Sequence, residues 1–222
     1  MTTLKGILAV WTNVEKSVEP EFHAWYNREH LWERVEIPGF LSARRYRAVK
    51  GNPSFLALYD TESRAVLDSP VYQRALASQS DWSRKVFPHF RDTVRMLGEA
   101  LANQGGGLGA HVLALRFRAQ PGKASALRAA LPELPRRLME TPTVVRATVV
   151  AGEVAMLKEF PAASGAPPQD PAVFAVFVEA SDGETLDRLD AEMLNDAALT
   201  TLGAEPPTRG HYALQYGLAR AL

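Results

Sequence analysis

The segment Asn103 to Gly109, NQGGGLG, divides the 222-residue chain nearly in half. Having almost no side chains with which to hold a conformation, it reads as a flexible linker. The same order of elements stands on each side of it.

On the N-terminal side, Gly6 to Val14 is short, apolar and rich in strand formers. Glu19-Pro20 then opens a helix with proline in its first turn, Phe22 to Val35 carries it, and Pro38-Gly39 ends it. Ala43 to Val49 and Phe55 to Thr61 read as two strands joined through Lys50-Gly51-Asn52-Pro53, a hairpin turn. Ser63 to Ser78 is helical in character with a break near Pro70, and Thr93 to Glu99 supplies a fourth strand. On the C-terminal side, His111 to Ala119 alternates as a strand, and Gly122 to Met139 reads as a helix interrupted by Pro132 and Pro135. Val144 to Val154 and Val173 to Ala180 follow as strands around a loop containing PAASGAPPQDP. Ser181 to Asn195 is a helix opened by Ser-Asp-Gly-Glu, and Tyr212 to Ala219 closes as a strand.

The order β-α-β-β-α-β therefore occurs twice, which predicts an α+β protein of two tandem ferredoxin-like repeats. The expected boundaries are residues 1–102 for the first repeat, 103–109 for the linker and 110–222 for the second. Each repeat makes an antiparallel sheet with its helices on one face, leaving the other face in need of a partner. The two sheets can supply this to each other, enclosing a barrel-like interior. A homodimer through the remaining surfaces is permitted but not required.

Composition narrows the function classes. Lys plus Arg equals Asp plus Glu at 25 each, so no net field draws the chain to nucleic acid or an anionic bilayer. The absence of cysteine removes disulfides, thiolate metal sites and a cysteine nucleophile. The apolar run Gly6 to Trp11 is too short for a signal-peptide core or a spanning helix, so the expected location is the cytoplasm.

The segment richest in chemistry is Glu21 to Phe40, EFHAWYNREHLWERVEIPGF. At 100° per residue, Phe22, Trp25, Tyr26 and Trp32 cover roughly 120° of helix surface with Glu29 and Glu33 amid them. His30 borders that arc, and Ala24, Leu31 and Val35 form an opposite stripe for the sheet. A carboxylate among aromatic rings loses hydration and becomes a proton donor or acceptor near neutrality. The same glutamates also read as solubilising partners of Arg28, Arg34 or an arginine of the next strand. His23 and His30 lie about 10.5 Å apart along the axis, too far to share a metal without other elements. On the following strand, alternation puts Arg45 and Arg47 on one face and Arg44 and Tyr46 on the other.

The series W-Y-N-R-E-H-L (Trp25 to Leu31), E-R (Glu33-Arg34), I-P-G-F (Ile37 to Phe40) and A-R-R-Y (Ala43 to Tyr46) resembles EthD-like dimeric α+β barrel proteins. The resemblance covers the first repeat to about Gly98, and the second repeat fits in element order. It implies that His30 and nearby aromatics lie by the barrel cavity, although relatives often carry proline where Trp32 stands. The wider superfamily spans oxygenases, isomerases, lyases, haem peroxidases and ligand sensors, so the fold alone does not choose a chemistry.

The leading expectation is an enzyme without cofactor that transfers protons on an aromatic or polyketide-like small molecule, as a lyase, isomerase or oxygenase does. Glu29 or His30 is the base, and Arg45 or Tyr26 stabilises developing negative charge. Phe22, Trp25, Tyr26, Trp32 and Tyr46 would hold the substrate. A haem-dependent barrel with His30, His89 or His211 as proximal ligand is one alternative, and a ligand-binding module without catalysis is another. The second repeat's matching helix, GKASALRAALPELPRRLME, carries no aromatic and no histidine, which predicts one site per chain.

Overall fold

The computed structural model describes residues 4–157 and 170–220. The first half runs β1 (Gly6–Val14), α1 (Glu19–Trp25), a π turn (Tyr26–His30), α2 (Leu31–Val35), β2 (Phe40–Gly51), β3 (Phe55–Thr61), α3 (Pro70–Ala77), α4 (Asp81–Val86) and β4 (Phe90–Gly105). The second runs β5 (His111–Arg118), α5 (Ala124–Ala130), α6 (Leu134–Leu138), β6 (Val144–Leu157), β7 (Asp170–Ala180), α7 (Gly183–Glu192), α8 (Asp196–Leu202) and β8 (Thr208–Ala219). Most of the loop expected around PAASGAPPQDP lies outside the described residues.

Helix starts are set locally. Asp182 accepts from the Thr185 amide at 2.7 Å and Asn195 from that of Ala198 at 2.9 Å. Pro132 ends α5 in a single 3₁₀ turn before α6 resumes, because it lacks the amide hydrogen that a continuous helix requires. Gly39, at φ +89°, turns the chain from α2 into β2 in a conformation that other residues resist.

The eight antiparallel strands close into one barrel in the order β1-β3-β2-β8-β5-β7-β6-β4. Each half contributes the ferredoxin-like order, β4-β1-β3-β2 and β8-β5-β7-β6. The halves join edge to edge, β2 with β8 and β4 with β6, instead of only meeting face to face. In the second seam Gly98 faces Gly152, where a β-carbon would lie 2.4 Å from the Leu97 carbonyl oxygen. Only glycine allows the strands so close.

The linker is shorter than expected. β4 continues to Gly105, because Asn103 Oδ1 accepts from Arg146 Nε at 2.9 Å and from Thr148 Oγ1 at 2.7 Å and so fastens that stretch to β6.

Three cores result. One fills the barrel, with Trp11, Tyr46, Leu58, Met96 and Phe177 among its members. The other two lie outside it, between sheet and helices. That of the first half is rich in aromatics, including Phe22, Trp25, Tyr26, Tyr59 and Phe87. That of the second is built mainly from aliphatic residues such as Leu127, Leu131, Leu138 and Leu189. Burying each such side chain contributes about 1.5–3 kcal/mol.

Candidate functional site

The π turn decides which side chains face the sheet. One extra residue between Tyr26 and His30 rotates everything after it by about 100° relative to a straight α-helix. Phe22, Trp25, Tyr26, His30, Leu31, Arg34 and Val35 consequently share one buried face. His30 takes the place expected for Glu29, Arg34 that of Glu33, and the two apolar stripes merge.

Glu29 is therefore not in the aromatic face. It is half-buried and accepts a hydrogen bond from Ser80 Oγ at 2.5 Å, beside the cap of α4. Trp32 is carried outward and is 48% exposed, so it lines no pocket with the others. Tyr46 points into the barrel, where its hydroxyl donates to Glu179 Oε2 at 3.1 Å, far from the helix aromatics.

Arg45 does join the helix. Its guanidinium lies over the rings of Tyr26 and Phe22, at 5.2 and 5.6 Å. It donates to His23 Nδ1 at 2.7 Å and to Asn27 Oδ1 at 3.0 Å. Burial pushes it down to about 10. These bonds hold Arg45 behind the aromatic wall.

His30 is the residue brought to a cavity. Its ring stacks on Trp25 at 4.1 Å and meets Tyr26 and Phe87 edge-on. Burial, with Arg34 adding to it, holds its pKa well below 6.5, so the imidazole is neutral. Nδ1 has no hydrogen-bond partner, the nearest carboxylate contact being Glu33 Oε2 at 3.9 Å. The cavity beside it measures about 40 Å³ and is lined by Tyr26, Arg34, Tyr59, Tyr72 and Arg95 among others. Burial pushes Tyr26 up to about 12 and Tyr59 well above its usual value, so both hydroxyls stay protonated.

Sequence reasoning missed Arg34, Tyr59, Tyr72 and Arg95. Alternation along β3 could have placed Tyr59 with Phe55 on the helix side. Nothing in the sequence marked the rotation that brings in Arg34.

The barrel interior, expected to hold the substrate, is packed. At one end Arg44, Asp60, Arg146 and Glu179 bond one another beside a recess of about 420 Å³ lined by Arg44, Asp60 and Arg146. This recess is larger than the His30 cavity, but its carboxylates and guanidinium groups already serve each other. Chemistry needs groups still free to act, which favours the smaller cavity.

The histidines do not fit haem. His30 faces about 40 Å³, against the roughly 300–1,000 Å³ of ordinary ligand pockets. His89 is tied to Glu15 at 2.7 Å, and His211, inside β8 and not at its start, lies between Asp187 and His111. Among the described residues no cluster of three potential metal ligands occurs. Among them, too, no helix is long and apolar enough to cross a membrane.

Against solved structures the whole chain finds counterparts. It is similar to an anthrone oxidase-like protein, at TM-score 0.68 and 13% identity over 99% of this chain and 97% of that one. A proposed monooxygenase from Fusobacterium nucleatum gives 0.64 and 6% over 100% and 97%, and a proposed chlorite dismutase gives 0.56 and 9% over 96% and 96%. The fold is that of the dimeric α+β barrel proteins. Such low identities speak for architecture, not chemistry. No protein-family model matches the chain, and no curated protein sequence matches it.

Proposed function

We propose that the chain is a small-molecule enzyme of the oxygenase type that works by proton transfer, without a bound cofactor, on an aromatic or polyketide-like substrate. The observation that carries this is His30: a neutral, buried imidazole with an unpartnered nitrogen beside an aromatic-lined cavity. A general base requires a free lone pair, a neutral resting state and water-poor surroundings, and His30 has all three. The resemblance to EthD-like proteins supports the class of chemistry, and an anthrone oxidase-like protein shares the fold.

The roles follow from position. His30 takes the proton from an acidic C–H or O–H of the substrate. Tyr26 and Tyr59 offer protonated hydroxyls, Trp25 and Phe87 fix the imidazole plane, and Arg45 braces the Tyr26 ring from behind. Glu29, held by Ser80, is not the base.

The cavity as it stands is too small for an aromatic ring, so binding displaces a wall. That wall is α3, which lines the cavity through Tyr72, Ala75 and Leu76 yet buries only Tyr72. Ala75 and Leu76 are only partly buried against the core, and an element with so little fully buried surface opens more readily than its neighbours. The second half completes the barrel with β5, β6, β7 and β8.

The test is oxygen uptake by the purified full chain with a panel of aryl ketones and phenols headed by anthrone. Turnover that His30→Ala abolishes supports the reading. Binding of panel members without turnover would favour a ligand-binding module instead.

A further inference from the structure

Arg34 differs from the other buried arginines. Arg44 and Arg146 lie within 4 Å of Asp60 and Glu179, and Arg45 donates to His23 and Asn27. The Arg34 side chain is 9% exposed, yet Nε and Nη1 have no hydrogen-bond partner. Its carboxylate neighbour, Glu33 Oε2, stands 3.6 Å from Nη2, beyond good hydrogen-bond distance, and is half in solvent. The cavity it lines contains no aspartate or glutamate and a second arginine, Arg95, bonded to the Tyr72 hydroxyl at 3.1 Å. Glu33 balances the Arg34 charge from one side only, and two buried donors left unpartnered are costly, so native folds keep them where something else accepts their hydrogen bonds.

From this set we infer that the cavity is an anion subsite, in which Arg34 Nε and Nη1 receive a single anionic oxygen or a halide beside the His30 ring. With α3 in place, about 40 Å³ admits a group of one to a few heavy atoms, and the rest of a larger substrate occupies the space that displacement of α3 opens. Two sources share this chemistry, the oxygen of an ionised enol or phenol on the substrate and a free inorganic halide. For the substrate source the inference rests on the function proposed above. The O–H or acidic C–H bond breaks, the proton passes to His30 Nδ1, and the electron pair stays on the substrate with its charge on the oxygen facing Arg34. Arg34 then touches the reacting group, a catalytic role that sequence reading gave to Arg45.

The experiment uses the full chain with 4-nitrophenol, whose ionised form is yellow, and nitrobenzene as its uncharged counterpart. The wild type should bind 4-nitrophenol as the phenolate at a pH where the free probe is largely protonated, and prefer it over nitrobenzene by about tenfold or more. Arg34→Gln should lose that preference while melting no lower than wild type, since two unpartnered buried donors have gone. Displacement by sodium bromide would show that free halide shares the subsite. Resistance to bromide with phenolate binding intact would assign the subsite to the substrate's oxygen. Equal binding of both probes to the wild type overturns the inference, as does an Arg34→Gln variant that folds and keeps the preference. If Arg34→Gln does not fold, the wild-type comparison of the two probes still decides. His30→Ala separates the two claims: retained turnover defeats the base assignment and leaves the phenolate result standing.

Discussion

Arg146 grips Asp60 with both terminal nitrogens, Nη1 to Oδ2 at 2.7 Å and Nη2 to Oδ1 at 2.9 Å, and so ties the second half of the chain to the first inside the barrel. Arg44 shares the same carboxylate at 2.8 Å. Burial opposes the Asp60 charge, but the two arginines outweigh it and hold the carboxyl well below its usual range. Asp60→Asn leaves both guanidinium groups with Glu179 as the remaining carboxylate of the cluster, and we expect a loss of about 3–5 kcal/mol in urea unfolding. A loss under about 1 kcal/mol would show that the network is not what joins the halves.

The neutral state of His30 predicts a pH dependence of stability. Its pKa is lowered in the folded chain by burial and by Arg34, while the unfolded value is near 6.5. Between these values the unfolded chain binds a proton that the folded chain does not, so stability rises with pH through that window and levels above about 6.5. His23 and His211 are also lowered, burial being the first cause in each, and act in the same direction. Melting temperatures between pH 5 and 8 should therefore fall toward acid, less steeply in His30→Gln. Equal slopes in the two proteins would contradict the assignment.

The π turn predicts an unusual tolerance. Deleting Arg28, which is exposed, converts the segment to a regular helix that keeps His30, Leu31, Arg34 and Val35 on the sheet side. Circular dichroism should show a folded protein with a melting point close to wild type. Turnover should drop, because His30 no longer sits at its π-turn angle. A deletion variant that unfolds would mean that the turn serves packing and not chemistry.

If α3 is the wall that admits substrate, its amides should exchange with deuterium faster than those of α1, and 4-nitrophenol should slow them. Exchange in α3 as slow as in α1, and indifferent to ligand, would move the entrance elsewhere.

Much of the fold was legible because its signals are local. β1 and β3 begin and end where apolar runs and turn residues place them, Gly6–Val14 and Phe55–Thr61. Alternation separated Arg45 from Arg44 and Tyr46 correctly, one toward the helix and two into the barrel. Two features were hidden for a physical reason. The clamp of Arg44, Asp60, Arg146 and Glu179 draws on four strands far apart in sequence, and no local pattern marks it. The rotation at Tyr26–His30 defeats any reading at 100° per residue, which is why Glu29 and Trp32 were expected in the site and Arg34 was not.

The central claim is that the π turn gives the base's position to His30 instead of Glu29. It is tested most directly by comparing Glu29→Gln with His30→Ala on one substrate of the anthrone panel, each checked for native melting. We predict that His30→Ala loses about 10²- to 10⁴-fold in turnover while Glu29→Gln stays within about threefold of wild type. The reverse result, with Glu29→Gln inactive and His30→Ala active, would contradict the account.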